Sequence, residues 1–161
     1  MVPAMRLSRL LPLLGLLWLS PLFAAPLAQP EWNRVEVGSM KTSIYVGSVT
    51  LQTSAFKSED DQFTATYSAK VFPWIFWNET GRITIKITHE DFLKLKRGER
   101  CEFTGEAMNH KNKPRHVTGY ADPAGDATGK IKVRIGVDDT ELIFNGTYNL
   151  STVSYQASSA Q

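Results

Sequence analysis

The chain has 161 residues, 42% of them hydrophobic and 21% charged, with 18 Lys+Arg against 16 Asp+Glu. It is too apolar for a disordered chain, and its length suits one domain. One cysteine excludes an internal disulfide, three histidines leave little for a zinc site, and a formal net charge of +2 gives no footprint for nucleic acid or anionic lipid.

Arg6 and Arg9 are the only charges before Glu31. They precede an apolar run, Leu10 to Phe23 (LLPLLGLLWLSPLF), and the small residues Ala24 and Ala25. A basic start, an apolar middle and a small-residue end predict a signal peptide over residues 1–24, and hence export to a periplasm or to the outside. Cleavage falls after Ala24 or Ala28. Pro12, Gly15 and Pro21 argue against a buried helix and against a retained anchor over Leu10–Ala28. No membrane span is expected once this segment is removed. Without these two arginines, bases and acids balance, so the rest of the chain offers no net charge to a polyanion. Residues 25–31 read as a flexible lead, 32–152 as the domain, and 153–161 as a frayed tail.

From Trp32 onward the hydrophobic period is two. Residues 43–53 (SIYVGSVTLQT) are rich in β-branched residues and predict one strand, and SAFKSEDDQ after them predicts a polar turn. In residues 63–71, Phe63, Ala65, Tyr67, Ala69 and Val71 share the inward face. In residues 82–87, Ile83, Ile85 and Ile87 point inward. Thr88 to Gly98 (THEDFLKLKRG) breaks the pattern. Thr88 with Asp91 resembles a capping box, acids precede bases, and Gly98 is a stop, so one helix of about two turns is expected. Residues 101–108 and 115–121 predict a hairpin. Residues 130–137 and 140–150 predict another, turning at Asp138-Asp139 and pairing Val137 with Thr140, Ile135 with Leu142 and Val133 with Phe144. Any one-residue slip would flip one strand's apolar face. The fold class is therefore all-β: a single antiparallel β-sandwich or barrel of about seven or eight strands with one short helix. A sandwich is slightly preferred, with the last hairpin at one end of the sheet order.

The stretch Val71 to Trp77 (VFPWIFW) places Phe72, Trp74, Phe76 and Trp77 within six residues. One reading makes these rings core packing that plugs one end of the fold. The other makes them ligand-binding residues, lining an apolar site or forming a patch for a partner. Alternation would set Phe72, Trp74 and Phe76 on one side and Val71, Ile75 and Trp77 on the other.

Other chemistry is sparse. His110 or His116 with Asp122 would serve a hydrolase only if they converged. Cys101 shares an inward face with Phe103, Gly105 and Ala107, which makes it a core thiol rather than a nucleophile. The acidic clusters Glu59-Asp60-Asp61 and Asp138-Asp139-Glu141 fall at turns and lack calcium-loop spacing. The three sequons, at Asn78, Asn145 and Asn149, say nothing further about function. No phosphate loop and no nucleophile elbow occurs, and no cofactor or metal is implied. The expected function is an exported, non-catalytic binding module for an apolar molecule, a glycan or a protein. A structural or assembly protein of the cell envelope is the alternative, and a small hydrolase a more remote one.

Overall fold

The computed structural model describes residues 32–59 and 62–152; the signal peptide, lead and tail expected from sequence lie outside them. In chain order the elements are β1 (Arg34–Val37), β2 (Met40–Ile44), β3 (Gly47–Thr53), β4 (Phe56–Glu59), β5 (Gln62–Phe72), a 3-10 turn (Ile75–Trp77), β6 (Glu79–Lys86), α1 (His89–Lys96), β7 (Cys101–Asn109), β8 (Pro114–Pro123), β9 (Thr128–Val137) and β10 (Thr140–Ser151).

The strands form a closed, antiparallel, eight-stranded barrel with two extra strands. The ring runs β5-β4-β1-β10-β9-β8-β7-β6 and closes where β6 pairs with β5. Closure rests on the length of β5. One edge carries β6 from Gln62 to Ala69; the other carries β4 at its start and β3 from Tyr67 to Phe72. The extra strand β2 then pairs on β3. This corrects the preference for a sandwich: alternation along each strand is the same in both architectures, and only the long-range β5–β6 pairing separates them. It also removes the sheet end expected for the last hairpin. β9–β10 sits inside the ring, between β8 and β1, in the predicted register.

Two local expectations are overturned. Residues 43–53 are not one strand: the chain reverses at Tyr45-Val46, pairing Ile44 with Gly47 and Ser43 with Ser48. Gly47 makes this possible with a φ of 118°, and a Cβ there would collide with the Phe72 carbonyl. The polar segment 54–62 contains β4, because Phe56 reaches the core while its neighbours face solvent. The helix agrees with its sequence signals. Thr88 caps it, its hydroxyl oxygen accepting from the Asp91 amide at 3.1 Å, and Gly98 follows the last turn at a φ of 76°.

Alternation sends Phe63, Ile85, Phe103, Val117 and Val133 into one half of the barrel, where they pack solidly. α1 covers that end. Phe92 stacks on Phe63 with ring centroids 5.8 Å apart, and Leu95 packs with Cys101, Ala121, Tyr148 and Leu150. The opposite half of the barrel, ringed by the β2–β3, β7–β8 and β9–β10 turns and the 3-10 turn, is open.

Candidate functional site

The open half encloses a cavity of about 860 Å³, within the range of pockets that hold small ligands. Register fixes its depth. Along β10 the wall descends from Thr140 through Leu142 to Phe144, and along β6 from Glu79 to Ile83. Leu51, Ile83, Ala107 and Phe144 form the floor, each at most 4% exposed. Most of the wall is apolar, supplied by Ile44, Val49, Val71, Ile135, Val137 and Leu142.

One stretch of wall is polar. Tyr67 on β5, Glu79 on β6, Asn109 on β7 and Arg115 on β8 all point inward, and Asp138 reaches the group from the β9–β10 turn. Glu79 is the hub. Its Oε1 accepts from the Tyr67 hydroxyl at 2.6 Å, and its Oε2 accepts from Asn109 Nδ2 at 2.9 Å and from the Arg115 guanidinium at 3.3 Å. Arg115 also donates to Asp138 Oδ1 at 3.0 Å. Asn109 Oδ1 accepts the Lys111 and Lys113 amides at 2.9 and 2.8 Å, which ties the β7–β8 turn to this wall. Burial works against the Glu79 charge, but the three donors outweigh it and hold the carboxyl below its usual range. Burial, with the Glu79 bond, pushes the Tyr67 phenol far above its ordinary value.

The four aromatic residues singled out from sequence are not core. Phe72, Trp74, Phe76 and Trp77 are 71%, 38%, 68% and 58% exposed. Trp74, Phe76 and Trp77 line the cavity mouth and pack on one another, with centroids 5.4 to 5.9 Å apart. This differs from simple alternation. Past Pro73 the chain enters a 3-10 turn, in which residues three apart fall on one side, so Trp77 joins Trp74. Phe72 is exposed at the end of β5 and does not line the cavity. Tyr45 and Val46 add exposed apolar surface at the tip of the facing β2–β3 turn.

The remaining candidates disperse. His116 faces Glu106 on the outer wall, and Asp122 lies six residues further along the same strand, about 20 Å away at strand rise. Asp122 is held by Arg100 through two bonds of 2.6 and 2.9 Å. His110 lies at the β7–β8 turn, so the His–Asp set is not assembled. Cys101 is fully buried, and burial pushes its thiol up to about 11. Among the described residues, no three His, Cys, Asp or Glu side chains are grouped to hold a metal ion, and no helix is long and apolar enough to cross a membrane.

The polar wall escaped the sequence reading, although its signal was present. The inward positions of β6, carried back from Ile83, reach Glu79; those of β8, carried back from Val117, reach Arg115. Charges on an apolar register are the mark of a buried polar site. No family model, no curated protein and no solved structure matches this chain.

Proposed function

We propose that this domain is a non-catalytic binding module that takes the apolar portion of a small amphipathic molecule into its barrel. The observation that carries this reading is the cavity of about 860 Å³, apolar over most of its wall and floor and opening between exposed aromatic rings. Burying a chain of methylenes there gains about 0.8 kcal/mol per CH₂. A glycan would need many more polar partners than one stretch of wall supplies. Exposed Trp74, Phe76 and Trp77 give an apolar molecule a surface to meet before it enters.

The test is native mass spectrometry and solvent extraction of the purified protein, followed by titration with a fluorescent alkyl probe. Ala69 lies on β5 inside the cavity, with Glu79 as its cross-strand partner on β6. Ala69→Phe fills that space and should abolish probe binding while the protein still unfolds cooperatively. Trp74→Ala/Phe76→Ala should weaken binding and leave the fold intact. A folded Ala69→Phe variant that binds the probe as tightly as wild type would refute the reading.

A second reading rests on the same exposed rings. An apolar patch of this kind also suits self-association in an assembly protein of the cell envelope. Light scattering separates the two, because a monomer at high concentration excludes assembly through the rim.

A further inference from the structure

We infer that the polar end of the ligand is an uncharged oxygen acceptor, such as an ester, ketone or amide carbonyl, received by the guanidinium of Arg115. This deepens the binding-module reading and rests on it. Arg115 is 8% exposed, lines the cavity and projects from β8 on the same inward register as Val117. A guanidinium has five N–H donors. Nη1 donates to Asp138 and Nη2 to Glu79, so each keeps a second N–H, while Nε is enclosed by protein and has no acceptor. The side chain lines the cavity, and donors left over there point to an acceptor that arrives with the ligand.

The charges around Arg115 decide what kind of acceptor it is. Two carboxylates, Glu79 and Asp138, already face one guanidinium. Glu79 is kept ionised by Tyr67, Asn109 and Arg115 together. An anionic ligand would bring a third negative charge to one guanidinium, and at the buried end of the wall it would lie beside the poorly solvated Glu79 carboxylate. A neutral carbonyl takes the spare N–H without that repulsion. Lys111 and Lys113 lie at the mouth but are exposed, where attraction for an anion is screened by water and salt. A cation is disfavoured at the buried part of the wall: the Glu79 oxygens already take three donors, and the carboxylates with oxygens to spare, Asp138 and Asp139, are exposed at the mouth, where their attraction is screened in the same way. The chain of the ligand then runs to the floor at Ile83 and Phe144, with its head beside Arg115 near the mouth.

The experiment uses the purified protein with dodecane, methyl dodecanoate, dodecanoate and dodecylammonium as probes, their binding followed by tryptophan fluorescence. The ester also carries a ¹³C-labelled carbonyl for infrared spectroscopy. The ester should bind at least about tenfold more tightly than the carboxylate or the ammonium, the span expected for a hydrogen bond to a charged donor. Its carbonyl band should lie below its position in hexane. In Glu79→Gln/Arg115→Met, which removes the pair together, dodecane binding is the reference against which the ester is read. The ester's preference over dodecane should fall about tenfold, and the band should return toward the hexane position. If that variant does not fold, Arg115→Lys keeps the charge but moves the donors, and the band must shift from its wild-type position. A carboxylate that binds most tightly, a wild-type band at the hexane position, or a band unmoved by either substitution overturns the inference while leaving the apolar-ligand reading intact. Failure of all four probes to bind overturns both.

Discussion

Glu79→Gln is the most informative single substitution for the polar wall. It preserves shape and one oxygen acceptor but removes the charge that three donors converge on. Breaking a fully buried ion pair costs about 3–5 kcal/mol. The cost here should be smaller, because the Glu79 side chain retains 21% exposure and Arg115 keeps its bond to the well-exposed Asp138. Loss of the charge assistance in these bonds sets the expected destabilisation at about 2 kcal/mol, or about 8 °C in Tm for a domain of this size. The sign of the pH dependence follows from the lowered Glu79 carboxyl. A carboxyl whose folded value lies below its unfolded value contributes stability that is complete above the unfolded value and is lost as pH falls through the folded value. The gap between wild type and variant in urea midpoint should therefore be full at neutral pH and close as pH falls through the lowered Glu79 value, where wild type itself comes to carry a neutral Glu79. Equal midpoints at neutral pH, or a gap that persists undiminished in acid, would refute the account of Glu79 as an ionised hub.

Two further outcomes follow from local structure. Gly47→Ala forces a side chain into a φ of 118° and against the Phe72 carbonyl, so it should cost about 1–3 kcal/mol or more in urea unfolding and loosen the turn beside the aromatic rim; an unchanged midpoint would show that this turn can shift freely. Cys101, fully buried with its thiol raised to about 11, should resist a thiol reagent in native buffer and react once guanidinium unfolds the barrel; rapid native reaction would contradict its place beneath α1.

Much of the fold is legible because alternation acts locally. The inward sets Phe63–Val71, Ile83–Ile87 and Cys101–Ala107 needed only neighbouring residues. The β9–β10 register needed only the match of two apolar faces, and the helix could be read from Thr88, Asp91 and Gly98. What could not be read depends on partners distant in sequence. Whether β5 takes neighbours on both edges decides barrel against sandwich, and no periodicity encodes it. β4 was hidden because only Phe56 in it is buried, and a short strand with one inward residue looks like a turn. The aromatic stretch stood out by composition, but the turn after Pro73, which gathers Trp74 and Trp77, does not follow from a period of two. Glu79 and Arg115 were overlooked because a charge at a strand end ordinarily reads as solvated.

The open half of the barrel follows from where the large side chains are spent. At the α1 end, inward phenylalanines fill the interior: the Phe103 ring occupies the space that a side chain at Gly119 would need, and Phe63 is backed by Phe92. Eight strands leave an interior that side chains of that size just fill. In the open half the inward positions include Ala69 on the wall and Ala107 on the floor, which leave space in front of them. The same strands continue at the same spacing, so the missing volume becomes a cavity rather than a narrower barrel. Its lining atoms then lack partners on one side and forgo dispersion energy that the closed half retains. A ligand that restores those contacts binds only the folded state and stabilises it by mass action. The polar wall sits within this gap, where five residues from four strands and a turn, the Glu79–Arg115 pair among them, hold one another by hydrogen bonds.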